Sequence, residues 1–149
     1  MTDLQALHDS THTMVMGVLN ITEDSSSDGG LWLDPAKAAQ HGRDMMAAGA
    51  DIIDIGAEST RPGAKRVSEA DELARITGAV KTLIPAGAIL SIDTTRASVA
   101  AAALSEGTQI INDVSGGTLD AELPHVVADH DCLYICLLYT SDAADDLIG

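Results

Sequence analysis

The sequence has no phenylalanine, and with one tryptophan and two tyrosines its aromatics reach only 2% of 149 residues. A core of stacked rings is thereby excluded. The apolar 46% is aliphatic, and its 23 alanines, with Val, Ile, Leu and Met, suit thin helices packed closely on buried parallel strands. Positive charge is also scarce, because 8 Lys and Arg stand against 23 Asp and Glu for a net charge of −15. Such a chain lacks the basic surface that binds nucleic acid. The two cysteines, Cys132 and Cys136, share one short stretch and supply neither a disulfide framework nor a four-ligand zinc pattern. No apolar run approaches the roughly 20 residues of a membrane span. Met1-Thr-Asp-Leu-Gln5 has no signal-peptide character either, so the expected location is cytoplasmic, with no membrane partner.

What is present is an alternation of β-rich and Ala-rich runs. Residues 14–19, 51–55, 89–92, 109–111 and 132–135 read as strands. Between them lie helical patterns with recognisable ends. Asp34 is an N-cap followed by Pro35, and that helix stops at Gly49. Ser68-Glu-Ala-Asp71 opens a second helix that continues to about residue 83, as a capping box with Asp in place of Glu or Gln. A third covers 96–106 before Gly107, with Thr94 or Thr95 as its cap, and a fourth covers 121–128. This repetition means parallel pairing with right-handed crossovers, hence an α/β sheet or barrel. Residues 1–13 read as a polar, disordered tail that holds His8 and His12, rather than as a metal pair.

Each of the first four strands finishes in carboxylates or carboxamides: Asn20; Asp54 with Glu58; Asp93; Asn112 with Asp113. In a parallel α/β fold these ends gather on one face, where ligands bind; Asn and Asp are also ordinary turn residues at strand exits. The loops 22–33 and 57–67 exceed the usual connector of about 4–6 residues. In the second, Glu58-Ser-Thr-Arg-Pro-Gly-Ala64 offers hydroxyls and a guanidinium to an anion, although an Arg61–Glu58 surface pair accounts for the same residues. The first, Asn20-Ile-Thr-Glu-Asp-Ser-Ser-Ser-Asp-Gly-Gly30, is rich in hard oxygen ligands suited to Mg²⁺ or to closing over a substrate; a solvated loop has the same composition. Trp32 reads as a packing residue or loop anchor.

Four segments together resemble dihydropteroate synthase in order and spacing: Met16-Gly-Val-Leu-Asn-Ile-Thr22 with Asp28-Gly-Gly30, Asp51-Ile-Ile-Asp-Ile-Gly-Ala-Glu-Ser-Thr-Arg-Pro-Gly-Ala64, Ser91-Ile-Asp-Thr94, and Ile110-Ile-Asn-Asp-Val-Ser-Gly-Gly117. The resemblance covers residues 14–119. It implies the N-terminal half of a pterin-binding (β/α)8 TIM barrel, left incomplete because such a barrel needs about 250 residues. It implies the joining of 7,8-dihydropterin-6-methyl pyrophosphate to 4-aminobenzoate in folate synthesis, in a sulfonamide-sensitive homodimer. Carried over residue by residue, it implies that Asn20 helps hold Mg²⁺, that Thr60 and Arg61 contact the pyrophosphate, and that Asp93 and Asn112 bond the pterin edge, with Arg61 and Asp93 as the catalytic pair.

Two positions depart from the family pattern. Ala57 replaces a common second Gly, and Ser26 replaces a Phe that helps enclose 4-aminobenzoate, a wall worth on the order of 1 kcal/mol. The expected organisation is therefore a tail over 1–13, a partial barrel domain over 14–135, and a foreign segment over 136–149. In that last segment Cys136-Leu-Leu-Tyr-Thr-Ser-Asp-Ala-Ala-Asp145 resembles a translated sequencing adapter. On this reading the chain is an inactive fragment of a synthase. A pterin-binding methyltransferase domain and a non-catalytic truncated paralogue are the alternatives.

Overall fold

The β-branched runs fold into five short parallel strands separated by helices. The computed structural model describes residues 3–23, 33–59 and 62–136. In chain order the elements are α1 (Asp3–His8), β1 (Met16–Asn20), α2 (Pro35–Ala47), β2 (Ile52–Gly56), α3 (Glu69–Leu83), β3 (Ile89–Asp93), α4 (Ala97–Ser105), β4 (Ile110–Asp113), α5 (Leu123–Ala128) and β5 (Leu133–Cys136). The sheet order is β1-β2-β3-β4-β5, every neighbour pair parallel. Strand order follows chain order with no reversal, as in a barrel and unlike a doubly wound sheet, where the order switches.

One face of the sheet carries Leu19, Ile53, Ile55, Leu90, Ile92 and Ile111, all fully buried against helix residues such as Val80, Leu83 and Ala100. The absent aromatic rings are replaced by close approach. Gly42 of α2 faces α3 so tightly that a Cβ there would lie 2.9 Å from both methyls of Leu83. Small residues at 38, 39 and 42 thus let two helices sit close over an aliphatic sheet.

Local signals set most element ends. The Asp34 carboxylate accepts from Ala36 N at 2.9 Å, and the Ser68 hydroxyl accepts from Asp71 N at 3.2 Å, satisfying first-turn amides as the sequence predicts. Three differences have physical causes. Strands β1 to β4 run past their predicted ends, because ladder pairing continues into the polar residues Asn20, Asp93 and Asn112. Helix α4 has Arg96 at its N-cap without a side-chain cap; the Ala97 amide donates instead to Asp120 Oδ2 at 2.8 Å. Residues 3–8, expected to be disordered, form the short helix α1, held by Gln5 donating to Asp9 at 2.9 Å. His8 and His12 do not meet there, since His8 contacts Asp9 and His12 contacts Asp51. Strand β5 also extends through Cys136, which pairs with Asp113; residues 137–149 lie outside the described residues.

Candidate active site

Side chains two residues apart on a strand share a face, and partners in register share it across strands. On the face opposite the helices the register therefore aligns Asn20, Gly56, Asp93, Asn112 and Ile135 in one row at the C-terminal ends of the strands. One rung below lie Val18, Asp54, Ser91, Ile110 and Leu133. Exposure on this face climbs from the middle strands, with Ser91 at 0% and Asp54 at 6%, to the edges, with Val18 at 55% and Leu133 at 42%. The rung below is thus shielded at its centre, whereas in the row itself Asp93 and Asn112 are half-buried and Asn20 is exposed.

Gly56 separates Asn20 from Asp93. A Cβ at position 56 would stand 3.4 Å from Asn20 Oδ1 and 3.5 Å from Asp93 Oδ2, so the missing side chain keeps the space between these two oxygens clear. Asn112 Nδ2 donates to Asp54 at 3.3 Å. Its Oδ1 is shut off from solvent and has no hydrogen-bond partner among the described residues. An orphaned buried acceptor of this kind is costly unless a ligand donor meets it. Burial raises Asp54, while the neighbouring Ser91 and Asn112 pull the other way. Burial, then the negative charges of Asp54, Glu72, Glu58 and Asp113, push Asp93 up to about 6. A half-buried carboxyl that titrates so near neutrality is suited to exchanging a proton or hydrogen-bonding a heterocycle.

Asp113, grouped with Asn112 by sequence, has a separate task. It points to the helix face, accepts from Ser115 N at 2.9 Å, Gly117 N at 2.7 Å and Tyr134 Oη at 2.7 Å, and so shapes the Ser-Gly-Gly turn after β4. Burial pushes its carboxyl up, but these bonds outweigh it and hold Asp113 below its ordinary value. Burial, then Asp113 itself, raises the Tyr134 hydroxyl.

The two long loops are rooted beside the row. Arg75 of α3 donates to the carbonyls of Ile21 and Ala57 at 3.3 and 3.4 Å and to Glu23 at 3.1 Å, joining the exits of β1 and β2. Ala57 is fully buried in the aliphatic cluster, so its methyl packs inward at the root of the second loop. A cleft of about 450 Å³ lies between the loop roots, lined by Thr22, Ser59, Lys65, Arg66, Ser68 and Arg75 among others; the polar row does not line it. Glu58 pairs with Arg66 at 3.5 Å and with Arg96 at 3.2 Å. Of the residues singled out by sequence, Asn20, Asp93 and Asn112 come together in the row, whereas Ser26, Trp32, Thr60 and Arg61 lie outside the described residues. Glu72, Arg75 and Arg96 were not legible as a group, since their partners are separated from them by 18 to 54 residues. A buried-acid signal, Glu72 among the apolar positions of an amphipathic helix, was the available clue.

The sequence profile of pterin binding enzymes matches residues 16–146. The chain belongs to the pterin binding enzyme family. This pterin binding enzyme chain is similar to the dihydropteroate synthase of Mycobacterium leprae, at 52% identity over 123 residues that cover 83% of the chain and 43% of the relative. Among solved structures it resembles Burkholderia cenocepacia dihydropteroate synthase complexed with 7,8-dihydropteroate, with TM-score 0.73, 36% identity, and coverage of 85% of this chain and 41% of that one. It also resembles Xanthomonas albilineans dihydropteroate synthase with 4-aminobenzoic acid, with TM-score 0.79, 36% identity, and coverage of 89% and 49%. The chain thus spans about half the length of these relatives, and its five parallel strands form part of a TIM barrel of the pterin-binding type.

Proposed function

We propose that the polar row is the pterin side of a dihydropteroate synthase site, in a protein that joins 7,8-dihydropterin-6-methyl pyrophosphate to 4-aminobenzoate. The observation that carries this reading is the buried, unpartnered Asn112 Oδ1 set beside the carboxyls of Asp54 and Asp93. A pterin edge presents several N–H donors in a plane, and this cluster offers acceptors along a partly buried row. The relatives named dihydropteroate synthase, and the neighbours holding 7,8-dihydropteroate or 4-aminobenzoic acid, support the same assignment.

In the reaction the bond from the pterin methylene to pyrophosphate breaks, carbon gains positive character, and the amine of 4-aminobenzoate forms the new C–N bond and loses one N–H proton, which is released to solvent along with pyrophosphate. Negative charge grows on the leaving group, so a cationic clamp there stabilises the transition state. Thr60 and Arg61, in the second loop, are assigned that clamp, with Asp93 and Asn112 fixing the pterin. Asn20 is the residue assigned to Mg²⁺. Among the described residues no three His, Cys, Asp or Glu gather as a metal cage. The donor available is the Asn20 carboxamide oxygen, a hard ligand of the type Mg²⁺ takes when substrate phosphates and water complete its shell. The ion would neutralise charge developing on the pyrophosphate. Ser26 is assigned to the 4-aminobenzoate side, where a hydroxyl in place of an aromatic ring weakens stacking on that substrate and on sulfonamides that mimic it. A homodimer is proposed for the whole synthase on the family resemblance. No helix among the described residues is long and apolar enough to cross a membrane.

Calorimetric titration of the chain with 6-hydroxymethyl-7,8-dihydropterin pyrophosphate tests the reading. Asn112→Ala is expected to weaken binding about tenfold while leaving the sheet intact. Equal affinity of the two chains, or no pterin binding by the folded wild type, would overturn it.

A further inference from the structure

We propose that Arg96 is a positioning residue that ties the two described ends of the second loop, Glu58 and Val67, together without itself touching the ligand. Its guanidinium reaches three acceptors at once. Nη1 donates to Glu58 Oε1 at the start of the loop, at 3.2 Å, and to Glu72 Oε2 of α3 at 2.9 Å. Nη2 donates to the Val67 carbonyl at the end of the loop, at 2.7 Å. The residues just before Arg96 reinforce the neck: Thr94 donates to Glu72 Oε1 at 2.9 Å, and Thr95 accepts from Arg66 at 3.0 Å. Glu58 and Glu72 are matched by Arg66 and Arg96, so the cluster is locally neutral.

The burial pattern favours a clamp over a surface ion pair. The Glu72 side chain is 2% exposed and that of Arg96 16%, so their bond is shielded from solvent and salt. The planar fork of Arg serves all three acceptors together, whereas a lysine ammonium is a point charge on a flexible stem. Thr94, Thr95 and Arg96 directly follow Asp93, the pterin-facing carboxylate of the row. The same short connection therefore carries one site residue and holds the loop that bears two others. This inference rests on the proposed function only for the ligand the loop meets; the clamp itself is a property of the described residues.

Proteolysis with an endoprotease specific for lysine separates local from global effects. The chain has three lysines: Lys65 in the loop, and Lys37 and Lys81 on α2 and α3. Arg96→Ala is expected to speed cleavage at Lys65 about tenfold, with rates at Lys37 and Lys81 unchanged, as the loop alone opens. Arg96→Lys should give an intermediate rate at Lys65, with its added site at position 96 resolved by mass. Unchanged cleavage at Lys65, or equal acceleration at all three sites, would overturn the proposal. Should Arg96→Ala fail to fold, Glu58→Gln, which leaves the bonds to Glu72 and Val67 in place, must still accelerate Lys65 selectively. Repeating the digestion with inorganic pyrophosphate tests the ligand separately: a clamp that holds, with no protection of Lys65 in the wild type, refutes the anion role of the loop and leaves the clamp standing.

Discussion

Burial and the carboxylates around it raise Asp93 from 3.8 to about 6. Between those values the folded chain keeps a proton that the unfolded chain has released, so this group makes stability fall as pH rises through that window. Asp93→Asn removes the effect. Its melting temperature is expected to exceed that of the wild type by a few degrees at about pH 7.5, with the difference vanishing toward about pH 4. Circular dichroism melts across that range check it, and a gap that widens on acidification would refute the assignment. A residue of the polar row that opposes stability in this way is consistent with selection for chemistry at its position, as the proposed function requires. Asp93, Asn112 and Asn20 were legible in the sequence because a polar residue ending an aliphatic run stands out locally. Which of Asn112 and Asp113 faces the site was not legible until the register fixed their alternation, and the orphaned Asn112 Oδ1 emerges only from the packing around it.

At the scale of elements, local chemistry and long-range contacts divide the work of ending helices. Ser68 caps α3 through one amide three residues on, a relation written within a short motif. Asp120 instead accepts from Ala97 N, 23 residues before it, and from Glu122 N, tying the start of α4 to the turn before α5. Ser68→Ala is expected to cost about 1 kcal/mol, and Asp120→Ala about 2 kcal/mol because two first-turn or turn amides lose their acceptor. Urea denaturation of the two variants compares them, and a larger loss for Ser68→Ala would contradict the double role of Asp120. The caps at Asp34 and Ser68 were therefore readable, whereas the threonines proposed as the cap of α4 were not the answer. Thr94 accepts from Arg96 N, but its own proton goes to Glu72. The helix at Asp3–His8 is not legible in the sequence because six residues carry too little periodicity.

Over the whole molecule, the described sheet has β1 and β5 at its edges, with Val18, Leu133 and Ile135 exposed on the face that bears the polar row. Unpaired strand edges with apolar neighbours template association. The chain expressed by itself is expected to show no synthase turnover, and light scattering should find its mass rising with concentration. Replacing Leu133 and Ile135 by lysine should suppress that rise; a concentration-independent monomer in the wild type, or turnover proportional to added chain, would contradict the open-edge reading. The parallel alternation and the sequential barrel segment were legible from rhythm and motif, while the alignment of Asn20, Asp93 and Asn112 in one row depends on the register between strands far apart in sequence. Gly56 brings these scales together. An alanine there would meet Asn20 and Asp93 at ordinary contact distances, so the sheet would accept it. A screen for folded, soluble chains would thus admit alanine at this position, while on the proposed reading a growth screen run in a complete synthase that carries this segment would reject it for filling the space beside the pterin. Two selections applied to one codon would return different alphabets, and their disagreement would mark where the demands of the fold end and those of the chemistry begin.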